Sequence, residues 1–181
     1  SRLSIPAVVD APAASQPLLA VVHKKLGVVP NLMKLLGQSP AALEGFLSLS
    51  GALDKGVLNA KLRESLALAV AEFNGCDYCL AAHSYIGKNL VKLTDDEIAQ
   101  ARDGRAADAR NDAALRFAQR VAAERGRVLD ADIAALRAAG FSDAETVEIV
   151  LHVALNVLTN YVNNVAHTDV DFPRVSAHTH A

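Results

Sequence analysis

Two cysteines lie three residues apart, Cys76 and Cys79, and His83 follows one helical turn later. At 100° per residue these three side chains fall within about 60° of one another, while Asp77 and Tyr78 point elsewhere. Gly75 precedes the group and can take the left-handed conformation that ends a helix, so Cys76 stands at the N-terminus of the next one. Free amides and the helix dipole at such a position favour thiolate, which by itself nominates Cys76 as the nucleophile. The i,i+4 spacing of Cys79 and His83 puts an imidazole where it can take a thiol proton directly or through a water. A carboxylate behind the histidine would orient it. If the helices on either side of Gly75 run antiparallel, Glu64 lies ~16 Å back along one and His83 ~12 Å along the other, roughly level. Glu72 competes, being level with Cys79 by the same arithmetic, and spacing leaves both open.

The elements that must carry these groups read as helices throughout. The chain is rich in Ala and Leu, has only three Tyr, five Phe and no Trp, and shows no sustained apolar–polar alternation. Helix-start signals recur: Ser39 with Pro40 behind it, Asn59, and the capping boxes Thr94 to Glu97 and Ser142 to Glu145. The expected helices cover about 15–27, 30–37, 40–53, 60–74, 77–88, 95–103, 108–125, 131–139 and 143–166, with ends good to roughly three residues. Residues 1–14, with Pro6 and Pro12, read as an extended arm. Residues 15–172 read as one all-helical domain, and 173–181 as a mobile tail carrying His178 and His180. His23 sits beside Lys24 and Lys25 and reads as surface, and Met33 as a core filler.

Two helices are too apolar for a surface, 65–71 and 147–165, and are expected at the domain centre or an oligomer interface. The second bears a polar stripe, His152, Asn156, Asn160, Asn163 and His167, whose amides must find partners and whose first reading is structural. A shift of 84 residues aligns Glu64 with Glu148, Ala82 with Ala166 and His83 with His167, setting Asn160 and Asn163 at the cysteine positions. The expectation is a bundle built from two degenerate helix-pair repeats.

At 181 residues the chain is one ordinary domain that buries roughly 70% of its unfolded surface without disulfide staples. The 18 basic against 20 acidic residues, a net −2 with no basic cluster, argue against nucleic acid as a partner. The most apolar stretch, 149–158, is broken by His152 and Asn156 and falls short of the ~20 residues of a membrane span. The opening Ser1 to Pro6 lacks the pattern of a secretory signal, and one close cysteine pair suits a cytosolic redox or metal motif, so a cytoplasmic location is expected.

Glu64, eleven residues, Cys76-x-x-Cys79, three residues and His83 together resemble the active-site signature of AhpD-like alkylhydroperoxidases, in the carboxymuconolactone decarboxylase superfamily. The layout, with its long C-terminal helix and the ending Asn163-Asn164-Val165-Ala166-His167-Thr168-Asp169-Val170-Asp171-Phe172, resembles the peroxidase-related branch. The resemblance implies an AhpD-like helical bundle and a peroxidase in which Cys79 attacks peroxide and Cys76 resolves it. It makes His83 and Glu64 the proton relay, choosing Glu64 over Glu72. It implies no cofactor beyond the cysteine pair, a hydroperoxide substrate, and an external dithiol reductant such as a lipoylated protein. A homo-oligomer also follows, trimeric or hexameric with a dimer as the alternative. One departure is Tyr78, which stands where some relatives carry a relay histidine.

Other chemistries weigh less. The same pair can serve as a disulfide reductase. Cys76, Cys79 and His83 with Glu64 or His167 are acceptable zinc ligands, but one pair and one histidine inside a helical core fit structural zinc poorly, so no metal is expected. Leu80 after the second cysteine excludes a haem link. A decarboxylase-like lyase or a non-catalytic interaction protein would make no use of the thiols.

Overall fold

The computed structural model describes residues 1–178; the end of the expected tail, with His180, lies outside the described residues. Among the described residues nine α-helices follow in order: α1 (Gln16–Leu26), α2 (Asn31–Leu36), α3 (Pro40–Leu53), α4 (Ala60–Phe73), α5 (Asp77–Ile86), α6 (Asp95–Arg102), α7 (Ala109–Ala123), α8 (Asp130–Ala138) and α9 (Asp143–Ala166). The helices for which the sequence offers a start signal fall where that signal places them. Ser39 and Asn59 accept the Ala42 and Leu62 amides, and both capping boxes close reciprocally. Two short elements left no signal in the sequence, a 3-10 turn at Val8–Asp10 and a π turn at Gly87–Val91. There is no strand among the described residues. The all-helical reading holds.

α4 is the axis of the bundle, packed by α5, α6, α7 and α9. Within the expected segment 65–71, the run from Leu66 to Ala71 is buried throughout, as its apolar character implies, and Glu72 is buried beyond it. α9 is turned the other way. Its polar stripe faces inward, with His152, Asn156, Asn160 and Asn163 all buried, while Val147, Val150, Leu151, Leu158, Tyr161 and Val165 lie exposed. His167 leaves the stripe: it is the C-cap of α9, at φ 47°, and is exposed.

The expected second helix pair is not formed. α9 runs unbroken from Asp143 to Ala166, so Glu148 and His167 stand about 28 Å apart along one axis at 1.5 Å per residue. The reason is local. The 84-residue shift sets Thr159 where Gly75 stands, and without a glycine to turn left-handed the helix continues. Glu148 does other work there, its carboxylate accepting the Val57 and Leu58 amides at 2.9 and 3.2 Å. It fills the space a side chain on Gly56 would need.

After α9 the chain crosses back over the N-terminal end of α5. Asp171 accepts the Tyr78 hydroxyl and the Asn31 amide, each at 2.8 Å, and Phe172 packs edge-on against Tyr78. Further along, Arg102 donates to the Ser176 carbonyl, the Ala177 amide to Asp77, and the His178 amide to Glu72. These bonds belong to the described part of the segment expected as a tail.

Candidate active site

The corner between α4 and α5 holds the two cysteines. Gly75 takes φ 59°, its amide donates to the Glu72 carbonyl, and the Cys76 amide donates to the Ala71 carbonyl, the paired bonds of a Schellman ending. Cys76 is at once the residue that closes α4 and the N-cap of α5, where its sulfur accepts the Cys79 amide at 3.3 Å. Cys76 and Cys79 are joined as a disulfide, and both are buried, 0% and 2% exposed.

Glu64 on α4 and His83 on α5 meet at 2.7 Å, Oε1 to Nδ1. The level placement expected from an antiparallel pair is therefore realised, with Nδ1 of the ring engaged by Glu64. Burial alone would lower the imidazole, but the Glu64 charge and hydrogen bond outweigh it and raise the histidine above its ordinary 6.5. Gly87 lies close by, where a Cβ would crowd Leu93 and touch the Glu64 stem.

Glu72, the other carboxylate that spacing left open, is turned to the opposite side. It binds the Arg102 guanidinium at 2.7 Å and the His178 amide at 2.6 Å. Tyr78 likewise points away from the Glu64–His83 pair. Its hydroxyl donates to Asp171 and accepts the Leu32 amide at 3.1 Å. Burial first, then the Asp171 charge, push its phenol well above the usual range against the lowering effect of the Leu32 amide, so it stays a neutral donor. Where a histidine would have titrated, this side chain fastens the returning chain to α2 and α5.

One neighbour of the cysteines was visible only as part of a pattern. Asn163 on α9 donates from Nδ2 to the Cys79 sulfur at 3.3 Å. The rest of the stripe is structural in the first instance: Asn74 donates to Asn160 at 2.9 Å and Asn156 to the His152 carbonyl at 2.8 Å, while Asn164, beside the stripe, donates to the Asn74 carbonyl at 3.0 Å. Burial first, then the Arg63 charge, lower His152 and keep it neutral. Among the described residues no group of three or more His, Cys, Asp and Glu is gathered as a metal would require, and no helix is long and apolar enough to cross a membrane.

Residues 40–124, which include Glu64, Cys76, Cys79 and His83, match the carboxymuconolactone decarboxylase family. Among solved structures the chain is similar to the alkylhydroperoxidase AhpD core of an uncharacterized peroxidase-related protein from Ralstonia eutropha JMP134. That likeness has a TM-score of 0.83 and 29% identity over 94% of this chain and 92% of that one. An uncharacterized peroxidase-related protein from Silicibacter sp. TM1040 superposes with a TM-score of 0.81 and 26% identity, over 93% and 91% of the two chains. The debrominase Bmp8, solved in complex with 2,3,4-tribromopyrrole, shares the fold at 17% identity and a TM-score of 0.75, over 93% and 94% of the chains. No match is found among curated proteins. The family match across α3 to α7, just under half of the chain, and the fold shared along almost the whole chain support a place in the AhpD-like carboxymuconolactone decarboxylase superfamily, in its peroxidase-related branch.

Proposed function

We propose that the protein is a thiol peroxidase acting on organic hydroperoxides, with Cys79 as nucleophile, Cys76 as resolving thiol, and His83 held by Glu64 as the proton relay. The observation that carries this reading is the pairing of a bonded Cys76–Cys79 couple with a Glu64–His83 contact of 2.7 Å on the same helix corner. His83 takes the Cys79 proton, and the thiolate attacks the terminal oxygen of the hydroperoxide. The S–O bond forms, the O–O bond breaks, and the alkoxide leaves as alcohol with the proton returned by His83. The Cys76 thiol, losing its proton, then displaces water from the sulfenic acid to give the disulfide. An external dithiol supplies the two electrons that restore both thiols.

Burial of both sulfurs favours a small substrate and a slender reductant such as a lipoyl arm over a folded protein disulfide. The outward apolar flank of α9 supports self-association through that helix, as a trimer or hexamer with a dimer as the alternative. The cytoplasm, where thiols are kept reduced, is the compartment that suits the cycle.

The test is rapid mixing of dithiol-reduced protein with cumene hydroperoxide while free thiols are counted. The expected result is loss of two thiols per chain, with a sulfenic acid trapped at Cys79 in Cys76→Ser and no reaction in Cys79→Ser. Thiols inert to peroxide that exchange readily with lipoamide would instead make the protein a disulfide reductase. Turnover of a lactone acid that survives both cysteine variants would make it a lyase.

A further inference from the structure

We propose that Asn163 is a positioning residue for Cys79, stabilising its thiolate through the Nδ2 hydrogen bond and so setting which of the two cysteines is charged in the reduced protein. This rests on the reading above for its catalytic meaning, though not for the contact itself. The two sulfurs have different donors: Cys76 accepts the Cys79 amide at 3.3 Å, and Cys79 accepts Asn163 Nδ2 at 3.3 Å. Helix position alone favours charge on Cys76, because the N-cap sulfur faces the first-turn amides and the dipole. The Asn163 amide adds a second donor where the dipole is weaker, and it comes from a different helix. It therefore tips the balance toward the cysteine one turn from His83.

Packing does not account for this amide. Asn163 is 3% exposed, and while its nitrogen meets the sulfur, its Oδ1 is buried with no partner. A buried acceptor left open is costly and is retained where the other end of the group has a task. On the proposed cycle Cys79 gains an O–H when it becomes a sulfenic acid, a donor beside that oxygen which the disulfide form lacks. The neighbouring Asn160 also leaves one amide atom, Nδ2, buried without a partner, but its oxygen is taken by Asn74 and it makes no bond to a sulfur, so the contrast between the two lies in the Cys79 contact.

The experiment measures iodoacetamide alkylation of Cys79 against pH in the Cys76→Ser protein, with Asn163→Ala, the isosteric Asn163→Asp, and Asn160→Ala added in turn. A hydrogen bond to a charged group implies that alkylation at pH 7 falls about tenfold in Asn163→Ala. It falls further in Asn163→Asp, where a carboxylate faces the thiolate. In both the midpoint moves to higher pH and the alkaline plateau stays put, while Asn160→Ala keeps the parent midpoint. An unmoved midpoint in the two Asn163 variants, an equal shift in Asn160→Ala, or faster alkylation at every pH overturns the proposal. Because alkylation requires no peroxide, a peroxide-inert protein with shifted Asn163 variants would sink only the peroxidase reading. A peroxide-active protein with unshifted variants would sink only this one.

Discussion

Replacing Glu64 with Gln keeps the shape of the side chain beside His83 and removes its charge. The contact is 2.7 Å long between side chains 25% and 12% exposed, sheltered enough for the charge to be felt strongly. A hydrogen bond to a charged group contributes about 1.5–3 kcal/mol, and each 1.36 kcal/mol is a factor of ten, so peroxide-driven thiol loss at pH 7 should slow by roughly ten- to a hundredfold. The pH dependence gives a second reading with a definite sign. Glu64 raises His83, and without it burial acts alone and lowers the imidazole, so the acid limb of the rate profile moves to lower pH in Glu64→Gln. Stability follows the same pair. A histidine raised by folding contributes stability that is fully present below its ordinary 6.5 and is lost as pH rises through its folded value. The melting difference between parent and Glu64→Gln is therefore widest just below pH 6.5, with the carboxylate ionised, and narrows on the alkaline side. Stopped-flow thiol loss and thermal melts across pH 5–9 measure both. A variant with the parent rate and an unmoved acid limb would refute the relay.

Tyr78→Phe strands the Leu32 amide and one oxygen of Asp171, so it should cost about 1–3 kcal/mol and lower the melting midpoint by several degrees, with the rate of thiol loss unchanged. A tenfold slower rate in a normally folded Tyr78→Phe would put its hydroxyl in the relay after all. Light scattering should give a mass above that of one chain, and Tyr161→Lys, placed in the exposed apolar flank of α9, should reduce it. A parent protein that is monomeric at micromolar concentration would refute the interface.

Several helices were legible because they begin with a residue that does the capping in the structure, such as Thr94, Ser142 and Asn59. The cysteine corner was legible for the same reason: Gly75 has to end α4, and everything after it counts from there. Glu64 against Glu72 was not, since rise per residue fixes height along a helix pair and says nothing about Arg102, thirty residues away, claiming Glu72 from the other side. The stripe on α9 was visible as a pattern, yet its amides looked alike. Only the packing of α9 on α5 singles out Asn163, an interaction 84 residues apart in sequence. The repeat failed at one position, where Thr159 lacks the freedom of Gly75. Asp171 carried no signal, because a carboxylate in a loop announces nothing about the phenol it will hold.

Cys76 is clamped from both directions, its amide closing α4 and its carbonyl accepting the Leu80 amide at 2.9 Å to open α5. With both backbone groups bonded, side-chain rotation is the expected route by which the two sulfurs separate on reduction. On the proposed cycle a sulfenic acid at Cys79 has two fates, condensation with Cys76 or a second oxidation to the irreversible sulfinic acid. Well-oriented internal reactions run at effective concentrations of about 10⁵ M or more, far above any peroxide a cell contains. The bend that joins two helices thus also determines how many turnovers the centre survives before peroxide destroys it. Loosening that bend at Gly75 would shorten the working life of the thiols before it altered their first reaction.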